Sequence, residues 1–469
     1  MKKVLIALTW MFCISSDLKA VHIAQNHVGQ VLIYPYYTVN NGLNTTYSVV
    51  NTTEHAKAIK INFYEAANGR NALSFNVYLS SFDVWTGVLT SVISELENHI
   101  GEASITHLTA DTSCAPFLRK AGREFSPEYL SGDSNTNMSR LREGHFVVLE
   151  MGKATSYESN TYFFTDHGST GIPSACNELV AAWENDQFAY AGEISAPQGG
   201  LLGTASLVDV AEGVSFSYDA LALENFWQGD VVHTAPDNPE PDLSFSMLES
   251  KVLMPNGDVV VSNWDSGYKA VSAVLMQSKI INENVLDIPI NGQTEWVVTM
   301  PTKYFHTNFD LPQEGRFPFS SEWNGMNSCD EFSATVWDRE EQVEVPFICT
   351  VSVCPEEPPT PTFCKTSNVI EFHLDDVDTS GSSQILGTSD KITIQSPQFS
   401  HATESGWARF NFSNENNVLN STNDHIYKGL PVVGFVVQKY FNANAQPGLL
   451  AKYGGLFVHS GSLLVESEE

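Results

Sequence analysis

The segment Ala58-Ile-Lys-Ile-Asn-Phe-Tyr64 alternates apolar and polar side chains along its whole length. Because successive side chains of a β-strand point to opposite faces, this period of two predicts a strand with one buried face and one face in water. The segment Leu73-Ser-Phe-Asn-Val-Tyr-Leu79 repeats the pattern after the turn residues Asn68-Gly-Arg-Asn71. The two segments therefore predict neighbouring strands of one sheet.

Further strand patterns lie on both sides of this pair. Val31–Val39 is rich in β-branched and aromatic residues, and the turn Asn40–Gly42 separates it from Thr46–Val50. Val84–Leu89 follows the second alternating segment. Short strands separated by regular turns predict an antiparallel β-sandwich of the immunoglobulin-like type.

A proline-rich segment, Thr234–Asp242, divides the chain. Its three prolines can neither pair within a sheet nor continue a helix. Beyond it, apolar spacing predicts a helix near 270–286, and a second run of strands begins at Trp296. We predict a mainly β protein with a few short helices and two antiparallel β-sandwich (immunoglobulin-like) domains, residues 21–234 with loop insertions and residues 235–469.

The first twenty residues have the pattern of a secretory signal peptide. Lys2 and Lys3 are basic, Val4–Ile14 is apolar, and a more polar stretch ends at Ala20. A retained anchor is the alternative, but the apolar run is too short for a membrane-spanning helix. We predict that residues 1–20 are removed and that the protein is exported to the cell surface or medium, with the periplasm as another destination.

The charge balance limits the partners. The 469-residue chain has 55 acidic and 24 basic residues and a net charge of -31. Such a field repels nucleic acid and anionic lipid and attracts divalent cations. No stretch after the leader is long and apolar enough to cross a bilayer as a helix. We expect self-association or contact with other envelope components, without nucleic acid and without membrane insertion.

Six cysteines follow the leader, and an even number in an exported chain indicates disulfides. Pairing within each half favours three bonds: Cys114–Cys176, Cys329–Cys364 and the short loop Cys349–Cys354. A zinc site is the alternative, although the spacing of the last four cysteines is uncommon for zinc ligands.

The sequence contains none of the common catalytic signatures. It has no Gly-x-Ser-x-Gly elbow, no His-Glu-x-x-His helix and no phosphate-binding glycine loop. Asp166-His-Gly-Ser169 brings an acid, a histidine and a hydroxyl together, but adjacent residues rarely converge as a triad, so a polar turn is favoured. We therefore predict that the protein is not an enzyme.

One local motif indicates a metal. Asp376, Asp378, Ser380 and Gly381 match the start of a calcium-binding loop, where oxygen ligands alternate and a glycine permits the sharp turn. The twelfth position is Gly387 and not the usual glutamate, so an acidic turn is the alternative. Calcium is the only cofactor that the sequence suggests.

Several phrases together carry a family resemblance. The chain resembles exported, mostly uncharacterised proteins of Gram-negative proteobacteria and, more weakly, surface-layer proteins of marine gammaproteobacteria, although it has cysteines and no obvious anchoring module. The resemblance implies a surface role and transfers no functional residue. The phrases are Gly29–Thr38, Ser48–Thr53, Phe82–Thr86, Val208–Gly213, Trp296–Lys303, Asp338–Glu341 and Gly429–Gly434.

Three functions are compatible with these observations. The first is a structural cell-surface protein, such as a self-assembling surface-layer subunit stabilised by calcium. The second is an adhesin or carbohydrate-binding protein that uses loops such as 125–143 or 376–390. A secreted hydrolase with no recognisable motif is the third and least favoured.

Overall fold

The computed structural model describes residues 19–185, 193–229, 231–308, 316–339, 360–374, 379–396 and 405–467. The protein is mainly β, with several antiparallel sheets and a few short helices. Strands are numbered along the described chain. Residues 1–18 of the predicted leader, both cysteines of the predicted bond Cys349–Cys354, and Asp376 and Asp378 lie outside the described residues.

Two large sheets are built from the N-terminal half, residues 21–234. In hydrogen-bonded order, the first contains β1 (His22–Ile23), β13 (Leu221–Glu224), β2 (Val31–Thr38), β9 (Glu143–Ala154), β4 (Lys57–Glu65) and β5 (Asn71–Leu79), and β10 (Ile194–Ser195) pairs with β9. The second contains β12 (Val214–Asp219), β11 (Leu201–Asp209), β3 (Leu43–Asn51), β6 (Val84–Ile93), β7 (Ala103–Leu108) and β8 (Arg123–Glu124).

The C-terminal half, residues 235–469, forms smaller sheets. One is β23 (Ile392–Gln395), β22 (Ser367–His373), β18 (Gln293–Thr299), β28 (Val433–Gln446) and β29 (Leu449–Val458), in that order. A second is β20 (Ser333–Asp338), β24 (Ser405–Asn411), β17 (Lys279–Val285) and β30 (Ser460–Ser462). A third is β25 (Val418–Asn420), β26 (His425–Lys428) and β31 (Leu464–Ser467).

The remaining elements are short. Three strand pairs are β14 (Glu249–Leu253) with β15 (Val259–Asn263), β16 (Met276–Gln277) with β27 (Leu430–Pro431), and β19 (Asp330–Glu331) with β21 (Thr362–Phe363). The α-helices are α1 (Asn160–Thr165), α2 (Cys176–Glu184), α3 (Gly267–Leu275) and α4 (Lys303–Thr307). Single 3-10 turns cover Glu128–Leu130, Met138–Arg142, Gly168–Thr170, Leu243–Phe245 and Ile288–Ile290.

One apolar core joins the two halves. Tyr34 and Phe63 from the first sheet and Trp85 from the second belong to the same cluster of buried side chains as Val297 and Phe435 from the C-terminal half. Successive side chains of a strand point to opposite faces. The residues that adjoin Val297 on β18 and Phe435 on β28 therefore face a separate core beneath the four-stranded sheet. The central strand β18 is therefore buried on both faces.

The water-facing side predicted for strand β4 is wrong, because every residue of Lys57–Glu65 is buried. The proline-rich segment crosses this face. Lys60 Nζ donates to the carbonyls of Ala235 and Asn238 at 2.6 and 2.8 Å, and Asn62 donates to those of Pro239 and Pro241. Carbonyls without a competing N–H partner are natural acceptors for polar strand residues. The segment thus covers the sheet as well as linking the halves.

The helix predicted near 270–286 also needs correction. Helix α3 ends at Leu275, and the chain continues as strands β16 and β17. Ile280 pairs with Phe410 of β24, and both side chains are buried in one core. Long-range pairing with a strand far along the chain therefore overrides the local apolar spacing.

Candidate functional site

Direct backbone contacts join the halves beside the turn that follows β4. The carbonyls of Ala66 and Ala67 accept hydrogen bonds from the N–H groups of Ser367 and Thr366, at 2.9 and 3.0 Å. The Thr299 hydroxyl also donates to the Pro35 carbonyl at 2.7 Å. The start of β22 is therefore held against the turn of the N-terminal half.

A buried ion pair stabilises this turn. Arg140 donates to both carboxylate oxygens of Glu65, from Nε at 2.8 Å and from Nη2 at 3.0 Å. The same carboxylate accepts the N–H groups of Ala67, Asn68 and Arg70. Burial would raise the pKa of Glu65, but the Arg140 charge and these hydrogen bonds outweigh it and hold the pKa below its usual value. Glu65 is thus an ionised centre of the turn.

Asp133 extends the ion pair across to the C-terminal half. Its carboxylate lies 2.8 Å from Arg140 Nη1 and 3.1 Å from Arg70 Nη2, and its side chain is 1% exposed. Trp323 Nε1 donates to the same carboxylate at 2.9 Å. We call Glu65, Arg140, Asp133, Arg70 and Trp323 the seam network. Its members come from distant parts of the sequence, so no local motif could reveal it.

An open cleft of about 720 Å³ lies over the seam network. The loops 125–143 and 376–390, which the sequence offers as ligand-binding loops, both line it within their described parts. We call this cavity the seam cleft. Its lining residues are Asn40, Asn41, Ala66, Ala67, Ser134, Asn135, Ser139, Arg140, Arg142, Glu143, Trp323, Gly325, Met326, Asn327, Cys364, Lys365, Ser382, Gly387, Ser389 and Asp390.

The β2–β3 turn contacts the loop 376–390 at the cleft wall. Asn41 Nδ2 donates to the carbonyls of Gln384 and Ile385 at 3.0 and 3.1 Å. Gly387 has a positive φ of 72°, and a Cβ there would lie 2.5 Å from the Cβ of Asn41. Glycine is therefore required at this point on both conformational and steric grounds.

Most charges of the seam cleft are already neutralised. Glu143 accepts hydrogen bonds from the Tyr36 and Thr388 hydroxyls, each at 2.7 Å. Lys365 Nζ lies 3.0 Å from Asp390 and 3.9 Å from Glu143. The cleft therefore presents mainly hydrogen-bonding groups and little net charge.

The calcium prediction falls mostly outside the described chain. Of its ligands only Ser380 is described, and it is exposed close to the seam-cleft residue Ser382. Within the described ranges, no three His, Cys, Asp or Glu side chains are placed to hold a metal ion together. Calcium binding at Asp376, Asp378 and Ser380 stays a prediction.

Two predicted disulfides are present, Cys114–Cys176 and Cys329–Cys364. The first joins the loop after β7 to the start of α2, and Cys364, from the second, lines the seam cleft. Cys349 and Cys354 lie outside the described residues.

The Asp166–Ser169 segment does not form a proton relay. Nδ1 of His167 lies 3.1 Å from the Ser80 hydroxyl and 3.7 Å from the Asp83 carboxylate. A triad needs its acid and its nucleophile on different ring nitrogens, and here both contact the same one. Residues Gly168–Thr170 form an exposed turn, as the sequence predicts.

A second surface, strand β29, is notable for its exposure. Beyond Lys439, β29 is the one described strand that pairs with β28, so the two form a hairpin arm beyond the rest of the sheet. The other edge of β29 pairs with no strand in the described parts of the chain. Exposed apolar side chains on β29 are Leu449, Leu450, Tyr453, Phe457 and Val458.

Comparison of the chain with family models, with curated proteins and with solved structures gives no match. Among the described residues, no helix is both long and apolar enough to cross a bilayer.

Proposed function

We propose that this protein is an exported structural component of the cell surface that self-associates through the edge of strand β29. The observation that carries the proposal is an open, apolar and nearly uncharged strand edge on a chain with a net charge of -31. Export rests on the signal-peptide pattern of residues 1–20 and is supported by the two disulfides.

Strand edges in monomeric proteins are usually protected by charge, proline or a covering segment. From Leu449 to Val458 the only charged residue is Lys452, and it forms an ion pair with Glu212. Asn282 Nδ2 contacts the carbonyls of Phe457 and Val458, so Leu449–Leu456 is the stretch whose outer edge has no strand partner among the described residues, although Val214 and Phe216 of β12 lie against Gly454. We call this stretch the open edge.

The chemistry of the open edge favours a second copy of the chain as its partner. Unpaired N–H and C=O groups along an extended strand match another strand, and two copies of the same strand can pair antiparallel about a two-fold axis. Elsewhere two copies repel each other through their acidic surfaces. Two copies of the chain can therefore approach each other at this nearly neutral edge with little electrostatic repulsion.

A continuous layer requires a second interface as well as the two-fold contact. Exposed Leu253 and Val259 on β14 and β15 offer an apolar surface for it. The same proposal includes calcium ions shared between acidic copies of the chain. It also includes an immunoglobulin-like β-sandwich fold for each half. The resemblance to exported proteobacterial surface proteins agrees with this role.

Sedimentation velocity of the mature chain tests the proposal. We expect dimers or larger species that become monomeric in the double variant L450K/Y453K, because two copies would then bring four ammonium groups together at the edge. Val210, exposed in the β11–β12 turn, provides the control variant V210K, which should associate like the unmodified chain. A wild-type chain that stays monomeric at high micromolar concentration, with and without calcium, would refute the proposal.

A further inference from the structure

We propose that the seam cleft binds an uncharged saccharide, a function separate from self-association. The volume of about 720 Å³ lies within the usual range for small-molecule sites, roughly 300–1,000 Å³. Most such sites are lined mainly by apolar side chains, whereas here amide and hydroxyl side chains are the largest group among the lining residues. The lining therefore matches a ligand with many hydroxyl groups.

Unused hydrogen-bonding capacity is the main argument for a ligand. Within the described chain, the side chains of Asn40, Ser134, Ser139, Ser382 and Ser389 line the cleft without making a protein hydrogen bond. They come from three separate segments, the β2–β3 turn and the two loops. Such groups can donate to and accept from the hydroxyls of one sugar chain simultaneously.

The electrostatics exclude strongly charged ligands. Lys365 lies beside the carboxylates of Glu143 and Asp390, which leaves one negative charge for Arg142 to balance, and Arg140 is committed to Glu65 and Asp133. Arg142 is the remaining cation; it is half-buried and donates from Nη2 to the Val39 carbonyl. A polyanion would also meet the long-range repulsion of the acidic chain. An uncharged saccharide would neither bring an unbalanced charge into the cleft nor be repelled by the acidic chain.

The cleft is preorganised for such a ligand. The seam network fixes Arg140 and Trp323, the disulfide Cys329–Cys364 fixes one margin, and Asn41 fixes the 384–387 segment. Little conformational entropy would then be lost on binding, which favours affinity. Trp323 is almost fully buried and acts as part of the wall rather than as a stacking platform.

Isothermal titration with glucose and with linear tetrasaccharides of glucose, mannose and galactose, beside a uronic-acid tetrasaccharide, tests the inference. We expect at least one neutral tetrasaccharide to bind. If glucose and the glucose tetrasaccharide bind with equal affinity, the natural ligand is a free sugar. If the tetrasaccharide binds more tightly, the natural ligand is a glycan chain. Both results agree with the inference. A preference for the uronic acid would overturn the assignment of an uncharged ligand.

Two variants locate the binding. S139W should abolish it by filling the cleft, whereas S215W, on the exposed face of β12, should leave it unchanged. The triple variant N40A/S134A/S139A should weaken it about tenfold or more, because three hydrogen bonds are lost. Thermal melting confirms that each variant is folded. No binding by the wild-type chain, or equal binding by S139W, would overturn the inference.

Discussion

Glu295 and Glu371 lie directly opposite each other on the paired strands β18 and β22, and both side chains are buried. Glu295 accepts the N–H groups of Ile385 and Leu386 at 2.6 and 3.0 Å. Glu371 accepts the Gln384 N–H at 3.0 Å and pairs with Lys391. The two carboxylates therefore hold one wall of the seam cleft in place.

Because of the Glu295 carboxyl, we expect the free energy of unfolding to depend on pH. Burial, supported by the nearby Glu371 charge and opposed by the two N–H donors, raises its pKa from 4.5 to about 7. Between these values the native chain keeps a proton that the unfolded chain has released. The free energy of unfolding from this group is therefore greatest at low pH and falls by about 3 kcal/mol as the pH rises from 4.5 to 7.

Urea unfolding across this pH range, in wild type and in E295Q, measures the effect. The variant should lack this downward slope, since an amide does not titrate. The exposed residue Glu415 provides the control E415Q, which should follow the wild-type curve. Parallel curves for wild type and E295Q would contradict the assignment.

We expect truncation of the Arg140 side chain to cause a large loss in the free energy of unfolding. R140A leaves Glu65 and Asp133 as buried carboxylates without their shared cation, and breaking a buried pair in this way costs about 3–5 kcal/mol. Arg119 is exposed, so R119A should change the free energy of unfolding by less than about 0.5 kcal/mol. Equal effects of the two substitutions would show that the seam network is not a stabilising element.

The Cys114–Cys176 bond predicts a second contribution to stability. Its residues are 62 positions apart, and chain-entropy reasoning gives about 4 kcal/mol for a loop of this length. The double variant C114S/C176S should lose a comparable free energy in denaturant titration. A reductant should destabilise the wild type more than this variant, which still contains Cys329–Cys364. A loss below about 1 kcal/mol would mean that the disulfide does not constrain the unfolded chain.

Much of the fold could be predicted from local patterns. Strands β2 to β6 match the alternating or β-branched segments. Side-chain direction alternates within a single strand, so a short window carries this information. The Cys114–Cys176 bond required only the assumption that each half pairs its own cysteines, whereas Cys329–Cys364 belongs to one of three pairings open to the four cysteines of the second half.

The burial of β4 and the candidate site could not be predicted in this way. Lys60 has the polarity of a surface residue and is buried only because a segment about 175 residues away crosses it. Arg140 and Glu65 are 75 residues apart, and nothing near either one indicates the other. The seam cleft depends on such long-range contacts, so the sequence could name its two loops but not their convergence.

The core shared between the halves predicts cooperative unfolding. Tyr218 of β12 stacks on Phe435 of β28 with ring centroids 5.0 Å apart, so separating the halves would expose aromatic surface on both. Differential scanning calorimetry should therefore show one transition, with calorimetric and van't Hoff enthalpies in agreement. Two resolved transitions would indicate halves that unfold independently.

Hydrogen–deuterium exchange as a function of protein concentration tests the central claim, pairing at the open edge, most directly. We expect those backbone amides of Leu449–Leu456 that point away from β28 to exchange more slowly as concentration rises, because a second strand would protect them. Strand β23, the opposite edge of the same sheet, is the internal control and should exchange at a constant rate. Exchange in β29 that does not depend on concentration, in a chain that nevertheless associates, would contradict the claim.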